Sequence, residues 1–263
     1  MNHRIFIIVG ITVILALSGC EEYIFGPQPK IIDEESFDSK LNIFGILRPD
    51  SLREHPASFI RVDKAVAMDS LNNDTLPITD AVVKIYEINS SKTDSFQFNY
   101  TDYDSAYGMQ DYRPDDFIPE PGMSYKLICR HTKYETVIGY TTVPEMPELV
   151  NPIQIVNNEL KFTVRRDQNV GLYEFNLMKG DLFHYHRQLS PDSGHVKVSI
   201  TLPEGFSKPF DVTIYAYDNN LAEYNTYSLY YKPNTYQPPY STLNNGYGCF
   251  GSLNILKRQV MAN

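Results

Sequence analysis

The residues whose types and spacing could do chemistry fall into four short patterns. Leu17-Ser18-Gly19-Cys20 places a thiol directly after two small residues, and in an exported chain such a thiol is a site for diacylglyceryl transfer followed by cleavage. Gly246-Tyr-Gly248-Cys-Phe-Gly251 matches the spacing G-x-G-x-x-G of a dinucleotide fingerprint. That chemistry needs a strand before the glycines and a helix opening on them, and here a Pro/Tyr stretch precedes them without a βαβ pattern. The glycines are therefore expected to form a bend into the last strand, and no cofactor is expected. His184-Tyr185-His186 puts two imidazoles on one face of a strand. A metal site needs three or four ligands, and nothing near in sequence supplies the rest, so surface histidines are the plainer reading. Asp102-Tyr-Asp104-Ser-Ala106-Tyr107 clusters carboxylates as calcium sites do, but it lacks the third ligand and the glycine of an EF-hand loop. No G-x-S-x-G, H-E-x-x-H or P-loop occurs. Two carboxylates for glycoside hydrolysis need only meet in space, so a glycan-active hydrolase stays open as an alternative.

The first of these patterns sits where its chemistry requires. Asn2, His3 and Arg4 give a short positive start, and Ile5 to Leu17 is apolar with Thr12 as the one polar break. A run of this length falls short of the ~20 residues that span a bilayer. Residues 1–19 therefore read as a lipoprotein signal peptide, with Cys20 as the lipid-attachment residue and the membrane as its partner through that lipid. Residues 20–39 are polar and contain Gly26, Pro27 and Pro29, which reads as a lipidated tether.

Removal of 19 of the 263 residues takes away Arg4 alone among the charges, leaving 22 basic against 32 acidic residues and a net charge of −10. Nucleic acids and anionic headgroups call for a basic face, so neither is an expected partner. Beyond Cys20 the cysteines are Cys129 and Cys249. Cys129 shares the Tyr125/Leu127 face of a strand pattern, and a buried free thiol is the expectation there rather than a Cys129–Cys249 bridge.

From about residue 40 apolar and polar residues alternate, as in half-buried strands. Strands are expected over 40–47, 58–68, 82–88, 96–100, 123–131 and 135–143. Pro144, Pro147 and Pro152 then interrupt pairing and mark a boundary. Further strands centre on Leu160/Phe162/Val164, Tyr173/Phe175/Leu177, Val196/Val198/Ile200 and Val212/Ile214/Ala216, with Leu253 and Ile255 near the end. The fold class is therefore all-β: two immunoglobulin/fibronectin-like β-sandwich domains, 40–146 and 147–263. The one helical candidate is 219–227.

Two stretches break the alternation. Residues 101–122 interleave Asp with Tyr and read as an acidic loop. Residues 218–249 hold Tyr224, Tyr227, Tyr230, Tyr231, Tyr236, Tyr240 and Tyr247 together with Pro233, Pro238 and Pro239. A long Tyr-rich loop on a rigid sandwich is a design for recognition, which makes these seven tyrosines candidate partner-binding residues. Tyrosines that pack down and cover a sandwich end would look the same in sequence.

The mature start Cys20-Glu21-Glu22, the series Leu41-Asn-Ile-Phe-Gly-Ile-Leu47, Ser58-Phe-Ile-Arg-Val62, Asp80-Ala-Val-Val-Lys-Ile85 and Pro121-Gly-Met-Ser-Tyr-Lys-Leu127, and the closing Asn244-Asn-Gly-Tyr-Gly-Cys-Phe-Gly251 together carry a resemblance. The chain resembles the Bacteroidetes-type envelope lipoproteins grouped as domain of unknown function 4249, over nearly the whole mature length. The resemblance implies two β-sandwich domains held at the outer membrane, in company with TonB-dependent transporters, and it brings no catalytic residues. The acidic residues after Cys20 resemble a surface-export signal of such bacteria. Asp50-Ser-Leu52, Asp69-Ser-Leu71, Asp74-Thr-Leu76 and Asp104-Ser-Ala106 resemble their short O-glycosylation pattern.

These readings converge on a non-enzymatic, lipid-anchored binding or assembly module at the outer membrane. Its expected partner is a TonB-dependent transporter or an extracellular glycan or peptide. A structural envelope adaptor is the alternative from a different class.

Overall fold

The computed structural model describes residues 39–52, 55–65, 76–88, 95–104, 109–227 and 241–261. All of them belong to one compact unit. In the first half the strands are β1 (Leu41–Leu47), β2 (Ser51–Leu52), β3 (His55–Pro56), β4 (Phe59–Lys64), β5 (Val82–Glu87), β6 (Ser95–Asp104), β7 (Met109–Arg113), β8 (Ser124–His131) and β9 (Tyr134–Thr142). In the second they are β10 (Gln154–Val156), β11 (Glu159–Val164), β12 (Val170–Lys179), β13 (Leu182–Leu189), β14 (Val196–Thr201), β15 (Phe210–Asp218) and β16 (Tyr247–Val260), with the helix α1 (Asn219–Tyr227) after β15. The protein has an all-β sandwich fold.

One 11-stranded sheet runs through both halves in the order β13-β12-β15-β16-β1-β4-β7-β6-β5-β8-β9. The second half is a sandwich in the simple sense. Its part of the long sheet faces a three-stranded sheet, β10-β11-β14. Between them Phe162, Val164, Phe175, Leu177, Val198, Ile200, Ile214 and Leu256 form the core. The alternation of these strands put one face of each inward, because successive side chains point to opposite faces.

The first half closes differently. Its strands wrap one core of Ile43, Ile60, Val83, Ile85, Phe98, Leu127, Val137 and Phe250. The far strand β9 returns to the start: Ile138 and Asn244 exchange backbone hydrogen bonds of 3.2 and 2.8 Å. Closure of this kind leaves fewer unpaired backbone groups on that rim.

β16 joins the halves. It lies parallel to β1, with Tyr247 to Ser252 opposite Asn42 to Leu47. It also runs antiparallel to β15, with Leu253 to Val260 opposite Tyr217 to Phe210. Leu243 and Phe250 lie in the first core although their segment follows the second half in sequence. The span 147–263 is thus not confined to the second core, because a 14-residue strand is long enough to serve both.

Two stretches expected as loops differ. β6 runs on to Asp104 and β7 begins at Met109, so much of 101–122 is a hairpin rather than a loop. Interleaved Asp and Tyr hide a strand, because Asp is depleted in strands while Tyr is favoured. The expected loop 218–249 contains α1 at its start, over the span where a helix was expected, and the first residues of β16 at its end. Asp218 caps the helix by accepting a 2.9 Å bond from the Leu221 N–H. Among the described residues no helix is long and apolar enough to cross a membrane.

Candidate functional site

The outer face of the long sheet carries an unusual row of aromatic and aliphatic side chains. On β12 the core takes Tyr173, Phe175 and Leu177, which leaves Leu172, Glu174, Asn176 and Met178 outward. Their partners in β13 are Leu189, Arg187, Tyr185 and Phe183, and in β15 Tyr217, Tyr215, Thr213 and Asp211. Leu253 and Ile255 of β16 lie beside Tyr217 and Tyr215. Phe44 and Ile46 of β1 continue the row, and α1 covers part of it through Leu221.

The row contains ordered ring contacts. Tyr215 and Tyr217 stack at 6.2 Å, and Phe183 and Tyr185 at 6.3 Å. The Arg187 guanidinium lies 5.7 Å over the Tyr185 ring and ion-pairs with Glu174 at 2.7 Å. Phe44 meets Phe59 at 6.1 Å and Tyr224 at 5.6 Å, and Arg113 lies 5.7 Å over Phe59. Exposure is concentrated at the β13 end, where Phe183 and Tyr185 are each 57% exposed and Leu189 58%. Burial pushes the Tyr217 phenol well above its usual range. Between Tyr185 and Thr213 the Asn176 Oδ1 is buried without a hydrogen-bond partner among the described residues. A buried acceptor in that condition is uncommon and costs stability.

The expected site residues divide on this face. Tyr224 belongs to it, on α1 against Phe44. Tyr247 opens β16, with the Lys40 ammonium 5.9 Å from its ring. Tyr227 ends α1. Cys20, Tyr230, Tyr231, Tyr236 and Tyr240 lie outside the described residues. The histidines of β13 share the core-facing side, where His186 stacks on Phe175 at 6.1 Å. Burial, then the neighbouring His184, lowers the His186 pKa. Among the described residues no group of three or more His, Cys, Asp or Glu is placed to hold a metal ion.

Cys129 and Cys249 are buried free thiols, and burial pushes each up to about 12. The glycine pattern works in packing. A Cβ at Gly248, whose φ is +100°, would stand 2.2 Å from the Ile43 carbonyl oxygen, so glycine lets β16 approach β1.

Sequence reasoning missed the joint between the halves. Asp218 at the end of β15 is buried, and the Thr141 hydroxyl of β9 donates to it at 2.5 Å. Ser252 of β16 stands 2.8 Å from the same hydroxyl and donates to the Thr142 carbonyl at 2.9 Å. Asn254 donates to the Pro144 carbonyl, and Asn220 to those of Tyr140 and Phe250. Burial outweighs these bonds and raises Asp218 from its ordinary 3.8 to about 6. A cleft of about 260 Å³ lies beside it, lined in part by Ser124, Thr142 and Asn169. A polar groove of about 700 Å³ lies nearby, with Glu145, Glu148 and Asp167 on its walls. Two of these carboxylates are engaged: Asp167 accepts from the N–H groups of Glu145 and Asn169, and Glu148 pairs with Arg165 at 3.1 Å. The signal that could have exposed this joint was the polar break Ser252/Asn254 within the otherwise apolar run 250–256 of β16.

No protein-family model and no curated protein matches the chain. Among solved structures it is similar to the chicken interferon gamma receptor alpha chain, at 11% identity, over 68% of this chain and 89% of that one, with a TM-score of 0.23. It is also similar to the FN1-FN3 domains of chicken CNTN1, at 13% identity, over 82% of this chain and 65% of that one, with a TM-score of 0.20. A fold by itself does not choose between functions.

Proposed function

We propose that this chain is a lipid-anchored, non-enzymatic binding or assembly module of the outer membrane, held through Cys20 and accessory to a TonB-dependent transporter. The observation that carries the reading is the outer face of the long sheet. Aromatic side chains fixed on a rigid sheet, exposed at Phe183 and Tyr185 and bordered by Arg187, have the composition of a contact surface. Rigid tyrosines bring large contact area with little side-chain entropy to lose. The signal-peptide pattern supplies the anchor and the resemblance supplies the transporter.

The test is crosslinking of the full chain in its native membrane, followed by purification and mass spectrometry. Cys20→Ala and Tyr185→Ser forms are run alongside. A transporter recovered with the native form, lost with Cys20→Ala and reduced with Tyr185→Ser supports the proposal. A transporter recovered equally with Tyr185→Ser would move the contact off this face. Recovery of no transporter with the native form would sink the accessory role and send the search to glycan and peptide ligands.

A further inference from the structure

The 11-stranded sheet ends at β13, and among the described residues no strand pairs with its outer edge. The other edges are managed. β9 is met by Asn244, β10 is three residues long, and β14 carries the exposed Lys197. Short edges and lysines are the usual means of preventing edge-to-edge pairing. β13 has neither. Its eight residues, Leu-Phe-His-Tyr-His-Arg-Gln-Leu, contain no Asp, Glu, Lys or Pro. In a chain of net charge −9 it is a nearly neutral strip with one paired arginine, where two acidic molecules meet with the least repulsion.

We propose that two copies of this chain pair through β13, antiparallel about a two-fold axis at His186, so that the long sheet continues from one subunit into the other. A two-fold axis normal to the sheet keeps each outer face outward. Opposed residues must then lie on the same face of the strand. With His186 opposite the partner's His186, the outer face sets Phe183 against the partner's Leu189 and Tyr185 against the partner's Arg187. The core-facing side sets His184 against the partner's Gln188. Each pair is complementary: apolar with apolar, ring with guanidinium, imidazole with amide. Arg187 is already 5.7 Å over Tyr185 within one chain, so the same side chains meet their equivalents across the axis. The neighbouring register, with Tyr185 on the axis, would set Leu189 against the carboxylate of the partner's Asp181. The shared edge is smaller than the ~800 Å² per partner of a standard interface, so pairing is weak and depends on concentration. Confinement to a membrane would raise that concentration, but the pairing does not rest on the proposed anchor or transporter.

Cysteine crosslinking of the purified full chain carrying Cys20→Ser, with a short bis-maleimide, tests this, since the remaining Cys129 and Cys249 are buried. His186→Cys is compared with Val150→Cys, which lies at an exposed site elsewhere. The expected result is a covalent dimer several-fold more abundant for His186→Cys. A mixture of Phe183→Cys and Leu189→Cys chains should crosslink several-fold more than either alone. Adding Tyr185→Lys to His186→Cys places a lysine against the partner's arginine and should reduce the dimer about tenfold, with the circular dichroism of the chain unchanged. Once a mono-maleimide is shown to label His186→Cys as fully as Val150→Cys, a dimer yield no higher than that of Val150→Cys overturns the proposal. So does a dimer that survives Tyr185→Lys, or a mixture that crosslinks no better than its parts, which would mean another register or partner.

Discussion

The two halves of this protein use the same strand chemistry and finish it in opposite ways. In the first half the sheet wraps a single core until β9 reaches Asn244, and its rim is tied by backbone hydrogen bonds. In the second, two open sheets face one another and the long one stops at β13. Both halves pin a loop with a buried tyrosine: Tyr112 receives the Ala81 N–H and Tyr125 that of Glu120, as Tyr173 receives that of Asp167. What differs is the unpaired rim, and with it the place where another molecule can add. The open half presents the aromatic outer face, and its exposed end coincides with the edge left unpaired among the described residues.

The sharpest way to break this comparison is at the strand the halves share. Phe250 is fully buried in the first core although β16 also builds the second half. Phe250→Ala should cost about 3–5 kcal/mol. If the halves are one cooperative unit, urea unfolding should remain a single transition with both cores lost together, whereas two resolved transitions would show that they are separable.

Next in size is the joint at Asp218. Its carboxyl titrates at about 6 in the folded chain against an ordinary 3.8, so the folded state holds the proton more tightly. Stability from this group is complete below about pH 4 and is lost as pH rises through about 6, a difference of about 3 kcal/mol. Urea midpoints measured from pH 4 to 7 should fall with rising pH, and Asp218→Asn should flatten that slope. An equal slope in the variant would place the titration elsewhere.

Gly251→Ala should have a smaller effect. Its Cβ would stand 2.5 Å from Leu221 Cγ and 2.8 Å from Asp218 Oδ1, which pushes α1 off the sheet at a cost of about 1–3 kcal/mol. Thermal unfolding checks it. The smallest effect on stability is expected at the exposed end of the face: Tyr185→Ser should change it by no more than about 0.5 kcal/mol while weakening association. A large loss of stability there would mean that Tyr185 is structural.

Much of the second half was legible because its alternation is regular. Leu160/Phe162/Val164 and Val196/Val198/Ile200 are inward residues of β11 and β14. The helix at Asn219–Tyr227 was legible too, and its cap stands just before it. The outer face was not. Phe44, Tyr185, Tyr215 and Tyr224 lie far apart in sequence, and nothing local tells an outward aromatic residue from an inward one. The joint was hidden for the same reason, since Thr141 and Asp218 are 77 positions apart.

The sequence by itself determined most of the strands, though not the β6–β7 hairpin, and which alternate positions share a face, because a side-chain period of two is a local property of extended backbone. It also carried the pattern around Cys20 on which the proposed anchor rests, which is read as a linear string. Only the tertiary structure decided that β16 would lie between β15 and β1, that the first half would close on itself and the second would not, and that Asp218 would be buried beneath Thr141. Those outcomes depend on pairing between distant segments, where register and closure are set by how whole faces pack.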